Sequence, residues 1–165
     1  MRRVDRQITD PVRLDSILLR GTFATIAMCQ EGEPYLVTLS YGYDEERNAL
    51  YFHLAPSGRK LDALAADPRV CATVIIDGGY QIGECRHLYE SVVLTGRMSL
   101  VDDPDEARHG MRILLGHLED EPGAVWERQA LDAPETWRRL RRGPARHRGD
   151  HRQGRPLGAL GRTGT

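Results

Sequence analysis

The sequence predicts a mainly β fold, a small barrel of antiparallel strands with a few helices. Two observations carry this expectation. Short runs rich in β-branched and aromatic residues recur along the chain, separated by compact polar turns, and the first three follow one another with short links. Links that short favour an antiparallel meander. Strands arranged this way must also hide their edges, which points to a closed barrel or to a dimer that covers one side.

Asp10–Gly21 reads as a short helix. Asp10 can cap the free amides, Pro11 suits the first helical position, Gly21 suits the stop, and Leu14, Ile17 and Leu18 share a face. Strands are expected over Thr22–Cys29, Tyr35–Tyr41 and Ala49–Leu54, the last two separated by the polar turn Asp44–Asn48. A second helix is expected over Leu61–Asp67, with Ser57 as its cap and Pro68 as its stop. Arg69–Asp77 reads as a strand, Gly78–His87 as a loop, and Glu90–Val101 as a long strand bent or bulged at Gly96. Asp102–Glu106 opens a helix through about His117, with its acidic residues at the positive end of the dipole. Val125, Trp126 and Leu131 suggest one more helical turn. The sum is about five strands and three short helices.

Charge divides the chain. The total of −1 hides nine arginines against one aspartate in residues 138–165, a net +8 that leaves −9 on residues 1–137. The expected organisation is a folded domain over 1–137 and a basic, disordered tail over 138–165. Twenty-two of the 23 basic residues are arginine, and the single lysine is Lys60. No apolar run reaches the length of a bilayer span, and the charged start Met1–Arg6 lacks the apolar stretch of a secretory signal. Three cysteines without a CxxC pair argue for a reducing compartment, so a cytoplasmic location is expected. Cys29 and Cys71 fall in strand patterns and read as small core residues. Cys85 and His87, with Glu84, lack the spacing of a zinc site.

The chemistry concentrates in Tyr51–Lys60, where a strand runs into a small-residue turn and then a helix start. The Ser57 hydroxyl, the Gly58 backbone, the Arg59 guanidinium, the Lys60 ammonium and the helical amides converge there, which suits a phosphate. His53 stands just before this turn, and Thr38, Ser40 and Tyr41 supply hydroxyls beside an apolar ladder. A flat cleft with a phosphate clamp at one end fits flavin mononucleotide (FMN). The bland alternatives are a solvated first turn with a serine cap, and a half-buried strand histidine at His53.

The segments PYLVTLSYGYD, LYFHLAPSGRKLDALAADPRVCATV and YESVVLTGRMSLVDDPDEA together resemble the flavin-binding split-barrel superfamily of pyridoxamine 5′-phosphate oxidase. Within it they are most similar to the nitroimidazole-reductase (Nim-type) branch. The resemblance runs from about Asp5 to Leu118. It implies a six-stranded FMN-binding split β-barrel that dimerises, with two FMN sites at the subunit interface. It puts the phosphate on Ser57, Arg59 and Lys60, and the ring and ribityl chain along Thr38, Leu39, Ser40 and Tyr41. It matches His53 to a histidine beside the cofactor, and Tyr89, Glu90 and Ser91 to a segment reaching the site, from the partner subunit in one arrangement. His53 is also the candidate for proton transfer. The oxidase's own C-terminal substrate motif is absent, so oxidation of pyridoxamine phosphate is not expected.

One departure concerns the tail. Members of the branch commonly finish on a strand ending like Glu-Ile-Thr-Gly-Lys, where this chain has His147–Gly154. The codons CAC-CGC-GGA-GAT-CAC-CGG-CAA-GGC spell those residues, and read one base later they give Thr-Ala-Glu-Ile-Thr-Gly-Lys. The expectation is a frameshift, real or from sequencing, that replaces the final strand with an out-of-frame basic tail. Such a tail needs no nucleic-acid partner, and it lacks the interleaved aromatics of a single-strand binder. The functional expectation is an FMN-dependent oxidoreductase acting on a small oxidised substrate such as a nitro compound. The rivals are a barrel holding the deazaflavin F420, a haem-binding barrel, and a non-enzymatic flavin-binding protein.

Overall fold

The computed structural model describes residues 7–55 and 57–133. Helix α1 (Pro11–Arg20) starts where Asp10 accepts the Val12 amide and stops at Gly21. Its C-terminal carbonyls find distant partners: the Tyr41 hydroxyl donates to Leu18 O at 2.6 Å, and His117 Nε2 lies 2.6 Å from Gly21 O.

Strands β1 (Phe23–Gln30) and β2 (Glu33–Ser40) form a hairpin in full register, closed by Glu31 and Gly32 at φ 55° and 86°. Positive φ at both central residues gives the turn a twist that matches the strands. Strands β3 (Gly42–Asp44) and β4 (Ala49–Tyr51) form a second, two-stranded sheet around the expected polar turn. Helix α2 (Arg59–Ala66) leads into β5 (Arg69–Gln81) and β6 (Arg86–Arg97), and α3 (Pro104–Leu118) and α4 (Pro122–Arg128) follow. The main sheet is antiparallel in the order β2-β1-β5-β6.

Several expectations are corrected. Six strands and four helices stand among the described residues. The three-strand meander does not form, because β4 pairs with β3 and the second neighbour of β1 is β5. The expected loop Gly78–His87 is mostly strand, with Tyr80 opposite His87 and Gln81 opposite Arg86, and the register slips between Asp77 and Tyr80 rather than at Gly96, which sits opposite Val70 in regular register. Gly78 and Gly79 break the alternation there, so composition hides a strand that pairing sustains. Ser57 does not cap α2: Gly58 is the N-cap, and no side chain bonds to the first turn. The tail 138–165 lies outside the described residues.

One face of the sheet is the core. Ile26, Val74 and Leu94 point inward from three strands onto Ile17 and Leu18 of α1 and Leu64 of α2. Helix α3 closes against the small sheet, where an added Cβ on Gly42 would stand 2.6 Å from the Leu114 backbone. The opposite sheet face is open. Registered residues Phe23, Leu36, Ile75, Tyr89 and Val93 on it are each 57–67% exposed. Cys29 and Cys71 lie on this face as well and are exposed, so the expectation that they are core residues is overturned by strand parity.

Candidate functional site

The turn before α2 is built around Gly58, whose φ of +131° is strained for any residue with a Cβ and whose Cβ position is open. Ser57 and Arg59 beside it are exposed, and Lys60 is half-buried. No side chain caps α2, and the Leu61 and Asp62 amides both donate to Gly58 O. Asp62 adds one negative charge in that first turn. Arg59 and Lys60 together outweigh it and leave the turn net positive.

Arg59 is held in place. Its Nε donates to Gln30 Oε1 at 3.0 Å, and its guanidinium carbon stands 4.5 Å over the Tyr35 ring. Both partners flank the β1–β2 turn.

His53 is exposed and lies past the end of β4, so it is not a strand residue. Thr38 and Ser40 project onto the open sheet face, where the Thr38 and Thr25 hydroxyls lie 3.0 Å apart and Thr25 is opposite Thr73. Leu39 turns inward and packs on the core. Tyr41 is fully buried, and burial pushes its phenol up, so it is a neutral donor to Leu18 O. Tyr89 is exposed on the open face, with Ser91 half-buried two residues on. The Glu90 carboxylate takes bonds from Arg20 at 2.6 Å and Arg13 at 2.7 Å, and those guanidinium groups hold it below the usual carboxylate range.

The structure therefore brings Ser57, Arg59 and Lys60 together at one turn. It puts Thr38 and Ser40 on β2 and Tyr89 and Ser91 on β6, at opposite edges of one sheet. Three strand spacings separate those edges, about 14 Å.

Sequence reasoning missed a second polar cluster. Asp44, only 4% exposed, meets His109 Nε2 at 2.6 Å and accepts the Arg47 amide. Tyr51 donates to Glu106 at 2.6 Å, and Arg47 bonds both Tyr51 and Glu106. Burial pushes the Tyr51 phenol up to about 12, and the hydrogen bond to Glu106 reinforces the shift. No local pattern marks these residues, because Asp44 and His109 stand 65 positions apart.

The family model described as pyridoxamine 5′-phosphate oxidase matches residues 10–148. The chain belongs to this family. Its antiparallel sheet with flanking helices is the family's split-barrel fold. An uncharacterized protein of Rhizobium meliloti (strain 1021) is 28% identical over 113 residues, 67% of each chain. Among solved structures, a candidate 5-nitroimidazole antibiotic resistance protein from Bacteroides thetaiotaomicron is 29% identical. It has a TM-score of 0.61 and covers 68% of this chain and 69% of its own. A FAD-binding protein from Mesorhizobium loti is 26% identical with a TM-score of 0.53, covering 66% and 75%. A FAD- and haem-binding protein from Mycobacterium smegmatis is 25% identical with a TM-score of 0.60, covering 73% and 58%. These solved neighbours thus include flavin and haem binders. Among the described residues no helix is long and apolar enough to cross a membrane.

Proposed function

We propose that this protein is an FMN-dependent oxidoreductase that acts on a small oxidised substrate, such as a nitro compound, and works as a cytoplasmic homodimer. The observation that carries the reading is the turn Ser57–Lys60, where Ser57, Arg59 and Lys60 flank a glycine that no larger residue replaces without strain, at a helix start that no side chain caps. That donor set fits a phosphate dianion.

Bound FMN would supply hydride or electron transfer to the substrate. The chain's own residues bind and orient it. Ser57, Arg59 and Lys60 hold the phosphate, and Thr38, Leu39 and Ser40 of β2 run along the ring and ribityl chain. His53 is accessible to solvent and is the residue proposed to exchange a proton beside the cofactor. Tyr41 acts from behind, since its side chain fixes α1 against β2. Glu90 likewise braces α1 against β6.

Two copies complete the site. Tyr89 and Ser91 stand too far across the sheet to meet Thr38 in one chain, while the open sheet face gives a second chain a surface on which to bring them there. Exposed thiols at Cys29, Cys71 and Cys85 suit a reducing compartment.

A second reading, haem binding, draws on the Mycobacterium smegmatis neighbour that holds both FAD and haem. The absorption spectrum of freshly purified protein separates the readings. A flavin spectrum, with Lys60→Ala weakening FMN binding by about 1.5–3 kcal/mol, supports the FMN site. A Soret band lost in His53→Ala selects haem, a deazaflavin spectrum selects F420, and flavin binding without turnover by NAD(P)H selects a non-enzymatic carrier.

A further inference from the structure

We infer that Gln30 and Tyr35 are positioning residues for Arg59, and that they set how strongly the α2 turn distinguishes a phosphorylated ligand from its unphosphorylated counterpart. The inference rests on the phosphate reading of that turn.

Arg59 opens α2 with its side chain exposed, and a free arginine there would sample many rotamers. It is instead fixed from two directions. Gln30 Oε1 takes the Nε proton at 3.0 Å, and the Tyr35 ring lies under the guanidinium at 4.5 Å. Neither contact uses the terminal amino groups, whose N–H bonds lie in the guanidinium plane and match two oxygens of one phosphate. The cation is held by its back and its face, with its fork left open.

The clamp is itself rigid. Gln30 and Glu33 pair across the two-residue β1–β2 turn, Tyr35 pairs with Met28, and the Tyr35 side chain packs against the core. The chemistry of position 30 also matters. Glu31 lies in the turn and Glu33 stands opposite Gln30, so Gln30 stands among acids yet is itself neutral. A carboxylate at that position would hold Arg59 equally well but would also cancel its charge. The amide orients the guanidinium and leaves its full charge for a dianion. Tyr35 contributes a π face, which a phenylalanine would supply as well.

The test compares FMN with riboflavin, which differ only by the phosphate, in fluorescence titrations of the full-length protein freed of bound flavin. Wild type and Tyr35→Phe should prefer FMN to the same degree. Gln30→Ala, Gln30→Glu and Tyr35→Leu should each lower that preference by roughly tenfold while riboflavin affinity stays within about twofold. Inorganic phosphate should compete with FMN less well against these variants than against wild type. Tyr35→Phe restoring the preference lost in Tyr35→Leu separates clamping from simple loss of fold. The clamp is overturned if Gln30→Ala and Tyr35→Leu keep the wild-type FMN-to-riboflavin ratio while Arg59→Ala collapses it, and the phosphate reading then survives alone. A wild-type protein with equal affinity for the two flavins overturns both.

Discussion

His109 Nε2 lies 2.6 Å from Asp44 Oδ2, joining the middle of α3 to the last residue of β3. The carboxylate is buried, so its charge survives only because partners surround it. The Arg47 amide and the Arg47 side chain complete that surrounding, and Arg47 also reaches Glu106 on α3. The Asp44 and Glu106 carboxylates, the Arg47 guanidinium and the His109 ring thus dock α3 onto the small sheet.

This cluster predicts a sharp loss of stability in acid. Burial pushes the Asp44 carboxyl up, but the His109 bond and the Arg47 amide outweigh it and leave the group below its ordinary value of 3.8. Glu106 is likewise raised by burial and then brought below 4.5 by Tyr51 and Arg47. A folded-state pKa below the unfolded value adds stability that is fully present above the unfolded value and disappears as pH falls through the folded one. The melting temperature should therefore hold steady from neutral pH to about pH 5 and drop below about pH 4. Asp44→Asn should cost about 1–3 kcal/mol at pH 7 and flatten the acid limb, as thermal melts across pH would show. An acid limb of unchanged steepness in that variant would remove Asp44 from the account.

Backbone proximity gives an independent prediction for the same interface. An added Cβ on Gly42 would stand 2.6 Å from both Cα and N of Leu114, and backbone cannot move aside as a side chain end can. Gly42→Ala should therefore destabilise by about 1–3 kcal/mol through overpacking. Gly116, on the same helix as Leu114, has nothing within 4 Å of its Cβ position. Gly116→Ala should stabilise by about 0.5–1 kcal/mol by raising helix propensity. Urea unfolding of the two variants checks the opposite signs.

How much of this was legible in the sequence depends on the range of each interaction. Helix α1 was readable because Asp10, Pro11 and Gly21 act on their own neighbours. The Ser57–Lys60 turn was readable for the same reason, although the cap proved to be Gly58. The β5–β6 tip was unreadable because its pairing is long-range while Gly78 and Gly79 erase the local pattern. Strand parity was ambiguous in β1, where small and thiol residues alternate with larger ones, so Cys29 fell on the wrong face. Gln30 and Tyr35 carried no signal of their own. Their importance comes from Arg59, which arrives 29 positions after Gln30.

Tyr41 separates a core role from a ligand role. Its hydroxyl donates to the Leu18 carbonyl at 2.6 Å near the end of α1, and its ring stacks at a tilt on His117 with centroids 5.0 Å apart. Tyr41→Phe keeps the ring and leaves a buried carbonyl without that donor, at a cost of about 1 kcal/mol. FMN affinity should not change, because the phenol points into the protein. A titration showing weakened FMN binding with unaltered thermal stability would reverse that assignment.

The open sheet face sets the last prediction. Phe23, Leu36, Ile75, Tyr89 and Val93 are more than half exposed, yet they share one face of four adjacent strands with hydroxyls and small residues, and Asp77 stands opposite Tyr89 at its edge. A contiguous apolar face of this kind is unusual on a monomer. The cofactor reading needs the same face covered, since only a second chain can carry Tyr89 and Ser91 toward Thr38. A charge introduced at Val93 would have to lose its hydration inside that interface, whereas in a monomer it would remain in water. Val93→Glu should therefore convert a dimer to monomers in light scattering, leave the far-ultraviolet circular dichroism intact, and lower FMN affinity in parallel with the loss of the dimer. Thr22→Glu, an exposed position ahead of β1, is the matched control and should leave the solution mass unchanged. A Val93→Glu protein that stays dimeric with normal FMN affinity would place both the interface and the shared site elsewhere on the molecule.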